Sequence, residues 1–211
     1  MIRAFTYSAV AAVGVLLGGT YAASAGWLDG LFGGKSDDKY AQCREGAVAG
    51  DIGGPFTLVN KDGQAVTDTD VITEPTLLYF GYTFCPDVCP YDNARNVEAV
   101  DLLAERGMSV TPVFVSIDPQ RDTPEVVGDF AENFHEKMIG LTGSPEQVDA
   151  ASKAYRTYYK AQIGDDKEYY LVDHSTFTYL VMPGEGFMDY FRREVTPQEM
   201  ADRVACFIEA S

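Results

Sequence analysis

Thr76-Leu77-Leu78-Tyr79-Phe80 is the stretch that most constrains how this chain folds. It is apolar or β-favouring throughout, it does not alternate with polar residues, and it is too short for a helix of ordinary length. Such a run predicts a strand buried on both faces. A strand covered on both sides needs a layer of structure above it and another below it. That excludes a helical bundle and a half-exposed sheet, and it points to an α/β sandwich.

The surrounding pattern agrees. Phe56 to Val59 alternates toward the turn Asn60-Lys61-Asp62-Gly63, which predicts a hairpin with Gln64 to Thr67. Asn93 to Arg106 carries Ala94, Val97, Val100 and Leu103 at helical spacing and is stopped by Gly107. Val110 to Ile117 is a second buried strand. Thr123-Pro124-Glu125 begins a helix with a cap residue and a proline in the first turn. Ser144-Pro145-Glu146-Gln147 and Thr196-Pro197-Gln198-Glu199 are capping boxes, the second opening a helix toward Ile208. Thr176 to Val181 and Phe187 to Phe191 are strands on either side of the turn Pro183-Gly184-Glu185-Gly186. A hairpin, then β-α-β-α units, then a closing hairpin and helix describe a thioredoxin-like α/β fold with added N-terminal and C-terminal β-hairpins.

Ahead of this domain, Ala4 to Leu28 is a run of 25 residues without a charge, preceded by Arg3 and followed by Asp29. Roughly 20 apolar residues span a bilayer as a helix, so the run is long enough for a single N-terminal anchor. The charge asymmetry puts the N-terminus in the cytoplasm and the domain outside. A cleaved signal peptide is the alternative, since Ala23-Ser24-Ala25 fits the small-residue cleavage pattern and Ala9 to Leu17 has the length of a leader core. Gly14 and Gly18 form a GxxxG step of low specificity. Residues 29–53, with Gly30, Gly33, Gly34, Ser36, Asp37 and Asp38, have little to bury and read as a flexible tether. The expected organisation is therefore membrane anchor or signal segment over 1–28, tether over 29–53, and folded domain over 54–211. In a bacterium this places the domain on the periplasmic side of the inner membrane.

The net charge is −16 from 16 basic and 32 acidic residues. Such a surface repels a phosphate backbone and anionic lipid headgroups, which excludes nucleic-acid binding and docking on an acidic bilayer surface. A basic protein partner or a cation is compatible with it, and so is a plain solvated surface.

The chemistry gathers in Phe84-Cys85-Pro86-Asp87-Val88-Cys89-Pro90, between the Thr76–Phe80 strand and the Asn93–Arg106 helix. Ligands bind at the carboxyl ends of strands in α/β sheets, and a helix N-terminus lowers the pKa of a thiol beside it. Cysteines four apart share one helical face, so both sulfurs can converge on one ion. Redox enzymes commonly use a C-x2-C spacing, and the C-x3-C spacing here favours metal over a structural disulfide. A third ligand has to come from two histidines. His135 ends an amphipathic helix and suits a surface role, whereas His174 precedes a buried strand. Two thiolates and an imidazole form a soft set that selects Cu(I), zinc or iron–sulfur. Structural zinc and iron–sulfur clusters each want four ligands, which leaves copper, as Cu(I) and also Cu(II), best supported.

The chain resembles the Sco/SenC family of copper chaperones of cytochrome c oxidase assembly. The resemblance rests on Gly53 to Leu58, Tyr79 to Pro90, Ser116 to Pro124, Leu141 to Ser144 and Tyr170 to Ser175, in that order. It implies that Cys85, Cys89 and His174 are the copper ligands, on a thioredoxin-like fold. It also implies that the partner is oxidase subunit II, whose binuclear copper site would receive copper or have its cysteines kept reduced. Other periplasmic copper carriers or thiol reductants are further implied partners. A thiol–disulfide reductase or a redox sensor using the same pair is the alternative, so catalysis is left open. Tyr91-Asp92-Asn93 departs from the more apolar helix start usual in the family.

Cys43 and Cys206 lie outside that pattern. In an exported chain they most simply form a disulfide across 163 residues, worth about 4–5 kcal/mol in the chain-entropy model. Asp173 is expected to orient the His174 imidazole, and the 173–175 segment to be a mobile loop that lets copper enter and leave. Asp118, Arg121 and Asp122 read as a hydrogen-bonded loop with an Asp–Arg pair. Met182, Met188 and the tyrosines Tyr155, Tyr158, Tyr159, Tyr169 and Tyr170 read as packing residues.

Overall fold

The computed structural model describes residues 38–46, 51–165 and 167–211. The uncharged run over 4–28 and most of the expected tether lie outside the described residues. No helix among the described residues is long and apolar enough to cross a membrane.

After a 3-10 turn at Ala41–Cys43 comes a hairpin of β1 (Thr57–Val59) and β2 (Ala65–Thr67), followed by the single-turn helix α1 (Asp68–Val71). Next come β3 (Thr76–Gly81), α2 (Val88–Glu105), β4 (Thr111–Ser116), α3 (Pro124–Phe134), β5 (Ile139–Leu141) and α4 (Pro145–Ala154). A second small hairpin of β6 (Tyr159–Ala161) and β7 (Val172–His174) interrupts this alternation. The chain closes with β8 (Thr178–Met182), β9 (Gly186–Phe191) and α5 (Pro197–Ala210).

β5, β4, β3, β8 and β9 form one sheet in that order, parallel from β5 to β3 and antiparallel from β3 to β9. All six residues of β3 are buried, as its unbroken apolar run requires. Leu77 belongs to an apolar cluster with Ala99, Val100 and Leu103 of α2 and Met200, Val204 and Phe207 of α5. Leu78 and Phe80 belong to a second cluster with Val127 and Ala131 of α3 and Val148 and Ala151 of α4. Met182 and Met188 are core residues of the first cluster. β8 and β9 complete the main sheet instead of standing apart from it, so the closing hairpin is integral, and among the described residues only β1–β2 and β6–β7 are separate ribbons.

Local chemistry sets the helix starts. Thr123 Oγ1 accepts from the Val126 amide, with Pro124 in the first turn of α3. Ser144 with Gln147 and Thr196 with Glu199 close the two capping boxes.

The compact unit runs from Tyr40 to Ser211. Residues 40–46 of the expected tether therefore pack on the domain. Tyr40 and Cys43 are buried, the Tyr40 ring lies 5.5 Å from the Phe207 ring, and Cys43 is joined to Cys206 of α5 with Cα atoms 5.6 Å apart. The Cys43→Ser, Cys206→Ser double variant is expected to keep the fold and lose about 2–5 kcal/mol of stability. Denaturant unfolding of both proteins without reductant measures the difference, and equal midpoints would show that the bridge does not stabilise the domain.

Candidate metal centre

β3 ends at Gly81, and after the six residues 82–87 α2 begins at Val88. The helix starts earlier than the spacing of apolar residues predicts, because Pro90 is its third residue. Proline is tolerated there, since the first amides of a helix have no partner within it. Asp87 occupies the cap position without capping. The Cys89 amide instead donates to Cys85 Sγ at 3.3 Å, so a sulfur takes the place of the usual cap oxygen.

This geometry separates the two thiols. Cys85 is held well below the ordinary thiol range, first by the hydrogen bond from Cys89, then by His174 and by the Asp87 and Cys89 amides, against the opposing effect of burial. Cys89 is pushed far above it by the same hydrogen bond and by burial. One proton serves two sulfurs, leaving a thiolate at Cys85 and a thiol at Cys89.

His174 arrives from β7. Its Nε2 lies 3.4 Å from Cys89 Sγ, and its Nδ1 lies 2.8 Å from the Ser175 carbonyl oxygen. A carbonyl oxygen only accepts, so Nδ1 carries the proton and Nε2 turns its lone pair toward the sulfurs. Tyr79 and Tyr82 hold the imidazole edge-on, with ring centroids 6.2 and 5.8 Å away. Cys85 Sγ, Cys89 Sγ and a His174 nitrogen lie within 4.8 Å of one another. Metal–sulfur and metal–nitrogen bonds of about 2.0–2.3 Å reach a common point from donors so spaced. The donor set is soft, largely dry and of low coordination number, which suits a monovalent copper ion better than a four-ligand metal.

Two expectations about the histidine segment are corrected. Asp173 does not orient the imidazole, because successive strand residues point to opposite faces. Its carboxylate is exposed and accepts from Gln162 Nε2, and the acceptor at His174 Nδ1 is a backbone carbonyl. Residues 173 and 174 are not loop either, since Val172–His174 pairs with Tyr159–Ala161 in register, and only Ser175 follows the strand. His135 sits at the C-cap of α3, with Nε2 3.3 Å from Asp101, outside the cluster.

The loop after β4 was read as a hydrogen-bonded turn, and it also braces the cysteine loop. Asp122 accepts from the Thr83 amide at 3.0 Å, the Thr83 hydroxyl at 2.5 Å and the Ser116 hydroxyl at 2.6 Å. Arg121 Nε donates to Asp118 at 2.5 Å. Of the five tyrosines read as packing residues, Tyr155 and Tyr170 are buried, and Tyr158 and Tyr169 are exposed. Tyr169 meets Phe84, the exposed neighbour of Cys85, at a centroid distance of 5.8 Å.

In the reduced, metal-free protein, iodoacetamide is expected to alkylate Cys85 first, at a rate that stays nearly flat from pH 8 to pH 5 because the reacting thiolate persists. Mass spectrometry of timed samples measures it. A tenfold fall in rate per pH unit would show that Cys85 is an ordinary thiol. Gly81 tests the packing beneath the site. A methyl group there would lie 2.8 Å from the Phe114 ring, 2.9 Å from the Tyr79 ring and 3.0 Å from Cys89 Sγ. Gly81→Ala is expected to lose about 1–3 kcal/mol in thermal unfolding and to displace Cys89.

Comparison with known proteins bears on this geometry. The profile of the SCO1/SenC family matches residues 44–209. Protein SenC of Rhodobacter capsulatus is 57% identical over 175 residues, which cover 82% of this chain and 79% of that protein. The crystal structure of Arabidopsis thaliana ScoI with copper bound superposes with a TM-score of 0.71 at 40% identity, covering 75% of this chain and 99% of that one. BsSco, a member of the Sco family of cytochrome c oxidase assembly proteins in which a disulfide switch has been identified, superposes with a TM-score of 0.58 at 26% identity, covering 74% of this chain and 91% of that one.

Proposed function

The chain belongs to the SCO1/SenC family, and from that membership we propose that it binds copper between Cys85, Cys89 and His174 and supplies it during cytochrome c oxidase assembly. The observation that carries this reading is the convergence of two sulfurs and an imidazole nitrogen within 4.8 Å at the junction of a strand end and a helix start. The recipient is the binuclear copper site of oxidase subunit II. The domain works on the periplasmic side of the bacterial inner membrane, held by an anchor over residues 1–28 and a tether over 29–53. An oxidising compartment of that kind suits the Cys43–Cys206 bridge.

The two thiols enter differently. Cys85 offers a thiolate to an arriving Cu(I), while Cys89 must give up its proton before its sulfur can bind. His174 completes the set through the nitrogen already facing the sulfurs. A recipient removes the ion by ligand exchange, starting at Cys85, whose neighbour Phe84 is exposed.

The split between the thiols also favours a second reading, reduction of a disulfide in the recipient. The Cys85 thiolate would attack one sulfur of that disulfide, forming a mixed disulfide and releasing the other as a thiolate. Cys89, its proton passed to His174 Nε2, would then attack Cys85 Sγ and release the recipient's second sulfur. The recipient gains two electrons, and the Cys85–Cys89 disulfide carries the oxidation.

Anaerobic titration of Cu(I) against a chromogenic chelator tests the first reading. One equivalent is expected to bind, with Cys85→Ser, Cys89→Ser and His174→Ala each weakening it. Because the metal displaces the Cys89 proton, affinity should drop about tenfold for each unit of falling pH. Stoichiometric binding that survives loss of either cysteine would sink the copper site. A deletion strain whose oxidase keeps its full copper content would count against delivery.

A further inference from the structure

β7, which carries His174, is not part of the main sheet, and among the described residues its only strand partner is the three-residue β6. Besides the Tyr79 and Tyr82 rings at the imidazole, contacts outside strand pairing must fasten this ribbon to the cysteine loop. Arg121 supplies them. Its Nε donates to Asp118 Oδ2 at 2.5 Å, and one terminal nitrogen donates to the carbonyl oxygens of Tyr170 at 2.9 Å and Glu168 at 3.4 Å, on the segment leading into β7. The guanidinium carbon lies 3.6 Å from the centroid of the Tyr170 ring and 4.8 Å from that of Phe84, the residue before Cys85. The Tyr170 hydroxyl in turn donates to Asp118 Oδ1 at 2.6 Å, so the carboxylate binds both members of the stack. Asp118 is buried, and the Arg121 side chain is 17% exposed.

We infer that Arg121 is a positioning residue for the metal centre: its guanidinium, stacked against Phe84 and Tyr170, fastens the histidine strand to the cysteine loop and sets the distance between His174 and the two sulfurs. The planar, always-charged group is suited to this. It stacks on an aromatic ring, pairs with a carboxylate and caps two carbonyls at once, which an ammonium on a flexible stem does not do. The inference rests on the copper-binding reading for its consequence, but the clamp itself is a property of the metal-free chain.

The test uses the reduced protein and Arg121→Ala, with Arg121→Lys as the conservative variant. In the metal-free state, amide exchange at Val172–His174 should quicken in Arg121→Ala relative to β3 and β4, which keep their protection. In the Cu(I) titration, Arg121→Ala should weaken binding about 10–100-fold, the size expected when support of a metal-ligating histidine is lost. X-ray absorption should then show copper with sulfur ligands and no imidazole nitrogen. The same change made in a His174→Ala background should weaken binding no further, because the ligand that Arg121 positions is already gone. Arg121→Lys should fall between wild type and Arg121→Ala, and it carries the test if the alanine variant does not fold. Equal losses in the two backgrounds would assign Arg121 to the cysteine loop or to general stability and overturn the proposal. Unchanged exchange at Val172–His174 would do the same. If wild type binds no Cu(I), the copper reading fails while the exchange measurement still decides on the clamp.

Discussion

Six consecutive residues of β3 are shielded from water on both faces, and a strand so placed meets solvent only at its ends. That constraint governs where chemistry can occur in this domain. The side chains along the strand are committed to two apolar clusters, and the chain leaving its carboxyl end must turn at once into α2. The turn brings the first amides of the helix over the last residues of the strand. A sulfur placed there takes the hydrogen bond that a cap oxygen would otherwise accept. The low basicity of Cys85 and the high basicity of Cys89 follow from the same geometry, because Cys85 accepts from Cys89 and from the helix amides while Cys89 donates and is buried. The site is thus a consequence of ordinary strand and helix packing, completed by a histidine from outside the sheet.

Much of this was legible in the sequence, and the reasons differ by element. β3 and β4 declare themselves because burial on both faces demands uninterrupted apolar residues. The starts of α3, α4 and α5 are written in cap residues whose side chains do one recognisable thing. Cys85 and Cys89 stand out by spacing and position. The β6–β7 ribbon was illegible, since three-residue strands such as Tyr159–Ala161 are too short to show a period, and the polar stretch between them reads as loop. The same ribbon decides the role of Asp173. Treated as a loop neighbour it lies close to the imidazole, but in a strand it faces the other way. The grip of Arg121 on Glu168 and Tyr170 joins residues 47 and 49 positions apart, and no local pattern records it.

The polar groups around the site divide into those that keep its shape and those that meet the ligand. Asp122 serves the first purpose. It is buried with three hydrogen-bond donors around it, and burial raises its pKa despite them. It anchors Thr83 and so fixes the path of the chain just before Cys85. The Ser175 carbonyl acts on the second group without joining it, because it decides which nitrogen of His174 is free to face the sulfurs. Neither is recognisable as a functional group from residue type alone. Asp122 sits among three acidic or basic residues in a row of turns, and the carbonyl belongs to every residue equally.

The bond between Cys43 and Cys206 sets a problem of timing. During synthesis Cys43 emerges first, Cys85 and Cys89 follow, and Cys206 appears more than a hundred residues after them. An oxidant that joined thiols in order of emergence would couple Cys43 to Cys85, consuming the thiolate of the metal centre and stranding Cys206. The native pairing therefore has to wait until α5 exists, or be restored by exchange after a wrong bond has formed. Burial shelters Cys89 once the central sheet has closed, whereas the Cys85 thiolate stays reactive. A sheet that closed before α5 was made would build the centre and also confine the Cys89 sulfur while the partner of Cys43 is still missing.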